Sequence, residues 1–80
     1  LNISVRFFAL YKDRAGISVL TVELAEHSTT LDLMDKLYSM YPALPSATPV
    51  LIAINYQYVE PNSILHDGDE VAIIPPVSGG

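Results

Sequence analysis

Only one stretch of this 80-residue chain carries a sustained helical period, and it limits the fold more than any other feature. Leu31, Met34, Leu37, Tyr38 and Tyr41 recur at three- and four-residue spacing, the apolar stripe of one amphipathic helix, with Leu33 and Met40 flanking it. Thr29 or Thr30 is placed to cap that helix, and Asp32 or Asp35 to meet the positive end of its dipole. Tyr41-Pro42 ends it, because the residue before a proline is driven out of the helical region. The other apolar segments are shorter and read as strands. One helix can cover one face of one small sheet.

The strands come in a definite order. Ile3 to Phe7 alternates with period two, which turns Ile3, Val5 and Phe7 toward a core and leaves Ser4, Arg6 and Phe8 on the other side. Ala9 to Ala15 is charged and stops at Gly16, a short helical turn. Ile17 to Leu24 is rich in β-branched residues and reads as a second strand, hairpin-like against the first. Pro42, Pro45 and Pro49 make an irregular bridge. Val50 to Asn55 is continuously apolar, the pattern of a central strand buried on both faces, and Tyr56 to Val59 either continues it or folds back as a hairpin partner. Ile64 and Leu65 form a small apolar anchor, Asp67-Gly68 is a turn, and Val71 to Ile74 is the last strand. The expectation is an α+β domain, a mixed sheet covered on one face by one main helix, with the first and last strands as central neighbours. The domain spans residues 1–76, and residues 77–80 form a flexible tail.

Composition narrows the function. Half the residues are hydrophobic, which opposes disorder. With no cysteine there is no disulfide, thiolate metal site or cysteine nucleophile, and a reducing, cytoplasmic setting is expected. No apolar run reaches the roughly 20 residues of a membrane-spanning helix. All four basic residues, Arg6, Lys12, Arg14 and Lys36, fall in the first 36 positions, against a formal net charge of −5. The remainder, with Glu60, Asp67, Asp69 and Glu70, is purely acidic. Nucleic acid binding needs clustered Lys and Arg and is not expected; a basic protein partner fits the field better.

No self-contained reactive centre emerges from the side chains. His27 and His66 sit alone in polar turns. Asp67, Asp69 and Glu70 lack the ligand spacing of a calcium loop, and a polar turn entering a strand explains them more simply, so no metal is expected. Ser78 has neither a nearby base nor a glycine elbow. What remains is the end of the chain, Pro75-Pro76-Val77-Ser78-Gly79-Gly80, a thin arm that spans roughly 20 Å when extended. Gly79 and Gly80 carry no side chain, so chemistry there uses the terminal carboxylate, which needs activation by another enzyme. Glycine leaves that carbonyl open to attack and lets the backbone enter a narrow channel.

Two blocks carry a resemblance to a known family. Asp67-Gly68-Asp69-Glu70-Val71-Ala72 followed by Pro75-Pro76-Val77-Ser78-Gly79-Gly80 resembles the molybdopterin synthase small subunit, the sulfur carrier of molybdenum cofactor biosynthesis. The opening Val5-Arg6-Phe7-Phe8-Ala9 and the run Ala53-Ile54-Asn55 match as well. The chain departs from the family at Lys12-Asp13, where Arg-Glu is frequent, and at Ile73-Ile74, where an aromatic pair is usual. The resemblance implies a ubiquitin-like β-grasp fold and no bound cofactor. It also implies two partners: an adenylyltransferase similar to ubiquitin-activating enzymes, which uses ATP to activate Gly80, and the large catalytic subunit of the synthase. Sulfur would be carried on Gly80 as a thiocarboxylate, with Gly79 giving clearance in the channel, and delivered to cyclic pyranopterin monophosphate in a heterotetramer.

Strand parity adds a docking face. If Glu70 faces water, Ala72 and Ile74 share its side with Phe8, and Tyr58 joins them, an apolar patch with an acidic border beside the tail. Phe8, Tyr58, Ile74, Pro75, Pro76, Val77 and Ser78 are the expected partner contacts. The same tail also suits a thiamine-pathway sulfur carrier or a ubiquitin-like protein modifier, and from another class a non-covalent binding module with an incidental di-glycine.

Overall fold

The computed structural model describes residues 1–45 and 49–75. In order they form β1 (Asn2–Phe7), α1 (Ala9–Ala15), β2 (Val19–Glu23), α2 (Thr30–Met40), β3 (Leu51–Ile54), β4 (Gln57–Tyr58) and β5 (Glu70–Ile74). The strands make one sheet in the order β2-β1-β5-β3-β4. β1 and β5 run parallel at its centre, and the remaining pairs are antiparallel. The last strand made is therefore the middle of the sheet, bonded to the first on one side and to β3 on the other.

The core lies between the sheet and the helices. Ile3, Val5 and Phe7 from β1 and Val71 and Ile73 from β5 project into it with Leu33, Met34 and Leu37 of α2, as the period-two and period-3.6 patterns require. Phe7 meets the ring of Tyr41 edge-on at 6.1 Å. The capping expectation holds at Thr29: its hydroxyl accepts from the Asp32 N–H at 3.4 Å, and the Asp32 carboxylate accepts from the Thr29 N–H at 2.9 Å, a reciprocal capping box. α1 stops at Gly16, whose φ of 79° is the left-handed turn that glycine adopts without a Cβ penalty, and whose N–H donates to the Lys12 carbonyl.

Four local expectations change. Leu31 is 51% exposed whereas Leu33 is fully buried, because the inward stripe of α2 starts one residue earlier, at Thr30. Thr30 is pinned there: its hydroxyl accepts the Asn62 N–H at 2.9 Å, and its own N–H donates to the Ser63 carbonyl. A rotation of about 100° per residue then turns Leu31 outward. The Val50 run is not buried on both faces. β3 lies one strand from the sheet edge, and Leu51 is 49% exposed on the side without helices. β2 begins at Val19 rather than Ile17, and of the expected anchor only Leu65 is buried. The structure also adds two core residues, Tyr11 from the short helical turn and Leu44 from the proline-rich bridge. The Tyr11 hydroxyl shares a 2.8 Å hydrogen bond with that of Tyr38 and donates to the Pro45 carbonyl at 3.0 Å, which ties α1 to α2 and to the loop beyond it.

Candidate docking face and the root of the tail

The side of the sheet turned away from the helices is built by register. Arg6 lies beside Ala72, Ala72 beside Ala53, and Ala53 beside Tyr58, so four strands contribute one row across this face. Side chains alternate along strands, so Glu70 and Ile74 share the side of Ala72, with Leu51 paired to Ile74. The row is small in the middle and large at its ends. That difference makes a shallow concavity of about 240 Å³, floored by Ala53 and Ala72 and walled by Arg6, Phe8, Tyr56, Tyr58, Glu70 and Ile74.

Phe8, Tyr58 and Ile74, from three separate elements, are thus brought to one site. Phe8 reaches it as the N-cap residue of α1, in extended conformation (φ −129°, ψ 154°), which projects a 43%-exposed ring at the rim. Ile74 ends the central strand, and half-buried Pro75 follows directly. Pro76, Val77, Ser78, Gly79 and Gly80 lie outside the described residues, as does the expected boundary at residue 76. The border also differs from the acidic one expected. The Arg6 guanidinium donates to the Glu70 carboxylate at 2.5 Å, so the one acid in the wall is neutralised by a base from the neighbouring strand.

Strand parity puts Arg6 on the side of Phe8, but nothing in the sequence marks Tyr56. Asn55 and Tyr56 form the two-residue connection of the β3–β4 hairpin with φ of 50° and 71°, the signature of a type I′ turn. Such turns are announced by glycine at the second position, and here a tyrosine occupies it. The Asn55 side chain locks the turn to β5: its amide nitrogen donates to the Asp69 carboxylate at 3.0 Å, and its oxygen accepts the Glu70 N–H at 3.0 Å. Asp69 also accepts the His66 N–H at 2.8 Å, and Asp67 accepts the Asn2 N–H at 2.7 Å. Those carboxylates are engaged in holding the turn before β5, as the simpler reading of the acidic run anticipated.

Elsewhere, a larger apolar groove of about 420 Å³ runs between α2 and the β3–β4 hairpin, past Leu31, Met34, Pro49 and Val59. Among the described residues no group of three or more His, Cys, Asp or Glu side chains stands close enough to hold a metal ion. His27 and His66 are exposed in turns. No helix among the described residues is long and apolar enough to cross a membrane.

A five-stranded mixed sheet with parallel first and last strands at its centre, packed on one main helix, is the ubiquitin-like β-grasp fold. Its central strand ends at the rim of an open concavity. The chain belongs to the ThiS family, which it matches over residues 5–80. It is 42% identical over 83 aligned positions to the molybdopterin synthase sulfur carrier subunit of Chlamydomonas reinhardtii, covering all of both chains. It is 36% identical to the protein of the same name from Arabidopsis thaliana, over its own full length and 84% of that relative. In structure it is similar to SAMP1 of Haloferax volcanii, a small archaeal modifier protein, with a TM-score of 0.88 and 27% identity over the whole of both chains.

Proposed function

We propose that this chain is the sulfur carrier subunit of a molybdopterin synthase. The observation that carries the reading is the position of Ile74. The last residue of the central strand walls the concavity on the outer face, so the described chain runs out to Pro75 beside the surface that collects Phe8, Tyr58 and Ile74 together. A large catalytic subunit seated on that surface lies beside the root of the tail and receives its end. The full-length likeness to two proteins named as such carriers supports the same reading.

The chemistry follows from the terminal carboxylate. A carboxylate is a poor electrophile, so an adenylyltransferase first joins Gly80 to AMP, with pyrophosphate leaving from ATP. A sulfide-equivalent donor then attacks the acyl carbon, AMP departs, and a thiocarboxylate remains. Within the synthase that sulfur passes to cyclic pyranopterin monophosphate, and two loaded carriers supply the two sulfurs of one dithiolene. Gly79, without a Cβ, gives the clearance for entry, and the acids, bases and pterin contacts come from the large subunit. The assembly is a heterotetramer with two small subunits on a large-subunit dimer, in the cytoplasm.

Intact mass of the protein from its native host tests the reading: replacement of one terminal oxygen by sulfur is expected. Persistent absence of that species when cofactor synthesis is required would sink it. The likeness to SAMP1 favours one second reading, a modifier that joins Gly80 to lysines of target proteins. Recovery of an isopeptide conjugate on Gly80 would decide for that alternative. Deleting Gly80 separates both from a non-covalent module, which would keep its binding.

A further inference from the structure

Tyr56 is the largest departure from local backbone preference among the described residues of the outer face. At φ of 71° it occupies the left-handed region, which a bulky side chain enters at a cost and for which Gly or Asn is the ordinary choice. Strain of this kind persists when the surroundings hold it or when the side chain displayed is needed. Here the surroundings hold the turn through Asn55, not through Tyr56. Asn55 makes both side-chain bonds to β5, whereas the Tyr56 side chain is 86% exposed and its hydroxyl only reaches the Glu70 carboxylate at 3.5 Å. The fold therefore gains little from the ring and would be served as well by glycine.

The ring nevertheless stands at a useful place. It walls the concavity at the end opposite Ile74 and Phe8, beside the Arg6–Glu70 pair. A tyrosine has only two side-chain torsions to freeze and offers a large apolar face with a polar tip, the properties of an interface anchor. We infer that Tyr56 is a partner-contact residue of this face, held out by a strained turn so that it packs against the large catalytic subunit. The inference rests on the sulfur-carrier reading and deepens it, adding a contact on the far side of the concavity from Ile74. The ring supplies the contact area, and the hydroxyl contributes little.

The test uses the full chain, the large catalytic subunit of the same organism, calorimetric titration and thermal melts. Tyr56→Gly is expected to melt no lower than wild type, because the turn gains its preferred residue, while its affinity for the large subunit falls about tenfold or more. Tyr56→Phe is expected to bind within about threefold of wild type, since the ring is kept. Unchanged binding by Tyr56→Gly beside normal wild-type binding would overturn the role of Tyr56 alone. A melt well below wild type would overturn it too, by showing that the ring serves the fold. Failure of the wild-type chain to bind the large subunit would overturn the carrier reading, and this inference with it.

Discussion

Ala53 and Ala72 face each other across β3 and β5 on the outer side of the sheet, and their small side chains are what opens the concavity. With Arg6 and Tyr58 at the two ends of the same row, the depth of the dish is set by two methyl groups. Larger residues there leave the backbone pairing intact and fill the dish from below. Ala72→Glu is accordingly expected to keep a far-UV circular dichroism spectrum and melt close to wild type, and to lose at least about tenfold in affinity for the large subunit by titration. Normal binding by that variant would remove the concavity from the docking surface.

Phe8 offers a cleaner test of the opposite wall. It is the N-cap residue of α1, and its side chain makes no capping hydrogen bond. Aspartate is among the best residues at that position, because its carboxylate accepts from the first free N–H groups of the helix. Phe8→Asp combined with Ile74→Asp should thus retain the fold while placing two charges in an apolar wall. Complex formation is expected to vanish in size-exclusion chromatography with the large subunit. An intact complex, or an unfolded double variant, would count against the assignment of this wall.

The lock between the β3–β4 turn and β5 predicts a stability effect of a different kind. Asn55→Ala removes two hydrogen bonds, leaves the 8%-exposed Asp69 carboxylate short of a donor, and forces alanine to a φ of 50°. A loss of about 2–4 kcal/mol is expected in urea denaturation, the sum of an unmet buried acceptor and a strained backbone. Asn55→Gly relieves the backbone only and should fall between the two proteins.

Tyr11 gives the chain an alkaline limit. Burial first, then the hydrogen bond and charge interaction with Tyr38, raise its pKa well above the ordinary 10.0. The folded protein then holds the phenolic proton at pH values where the unfolded chain has released it. Stability from this group is fully present below pH 10 and drains away as pH rises beyond it. Melting temperature should be flat from neutrality to about pH 9 and fall steeply above pH 10. Tyr11→Phe should be less stable at pH 7, having lost two hydrogen bonds, yet show a shallower alkaline decline.

How far the sequence announces this arrangement depends on whether the deciding interaction is local. The side on which Phe8, Ile74 and Tyr58 lie was legible, because strand parity is a property of a few consecutive residues. The phase of α2 was not. Residues 30 to 41 contain two overlapping apolar stripes, and the choice between them is made by the bond from Asn62 to Thr30, 32 positions apart. Tyr11 and Leu44 were hidden for a related reason: one opens onto a charged turn and the other lies between two prolines, and neither belongs to an apolar repeat long enough to mark a buried face. Tyr56 was hidden because its turn lacks the glycine that ordinarily marks it. Leu51 misled in the other direction, since a continuous apolar run signals burial on both faces only when the strand has helices on both sides.

The place of β5 has a mechanical consequence. In the proposed role the end of the chain is released by one partner before it reaches the next, and any pull on it would enter the described fold through Pro75 and Ile74. β5 is bonded along both edges, to β1 in parallel and β3 in antiparallel register, so that load acts along the strand and shears both ladders at once. An edge strand such as β4 would unzip one bond at a time. A pull at the C-terminal end of β5 therefore meets two ladders in shear, more resistance than the same pull on an edge strand.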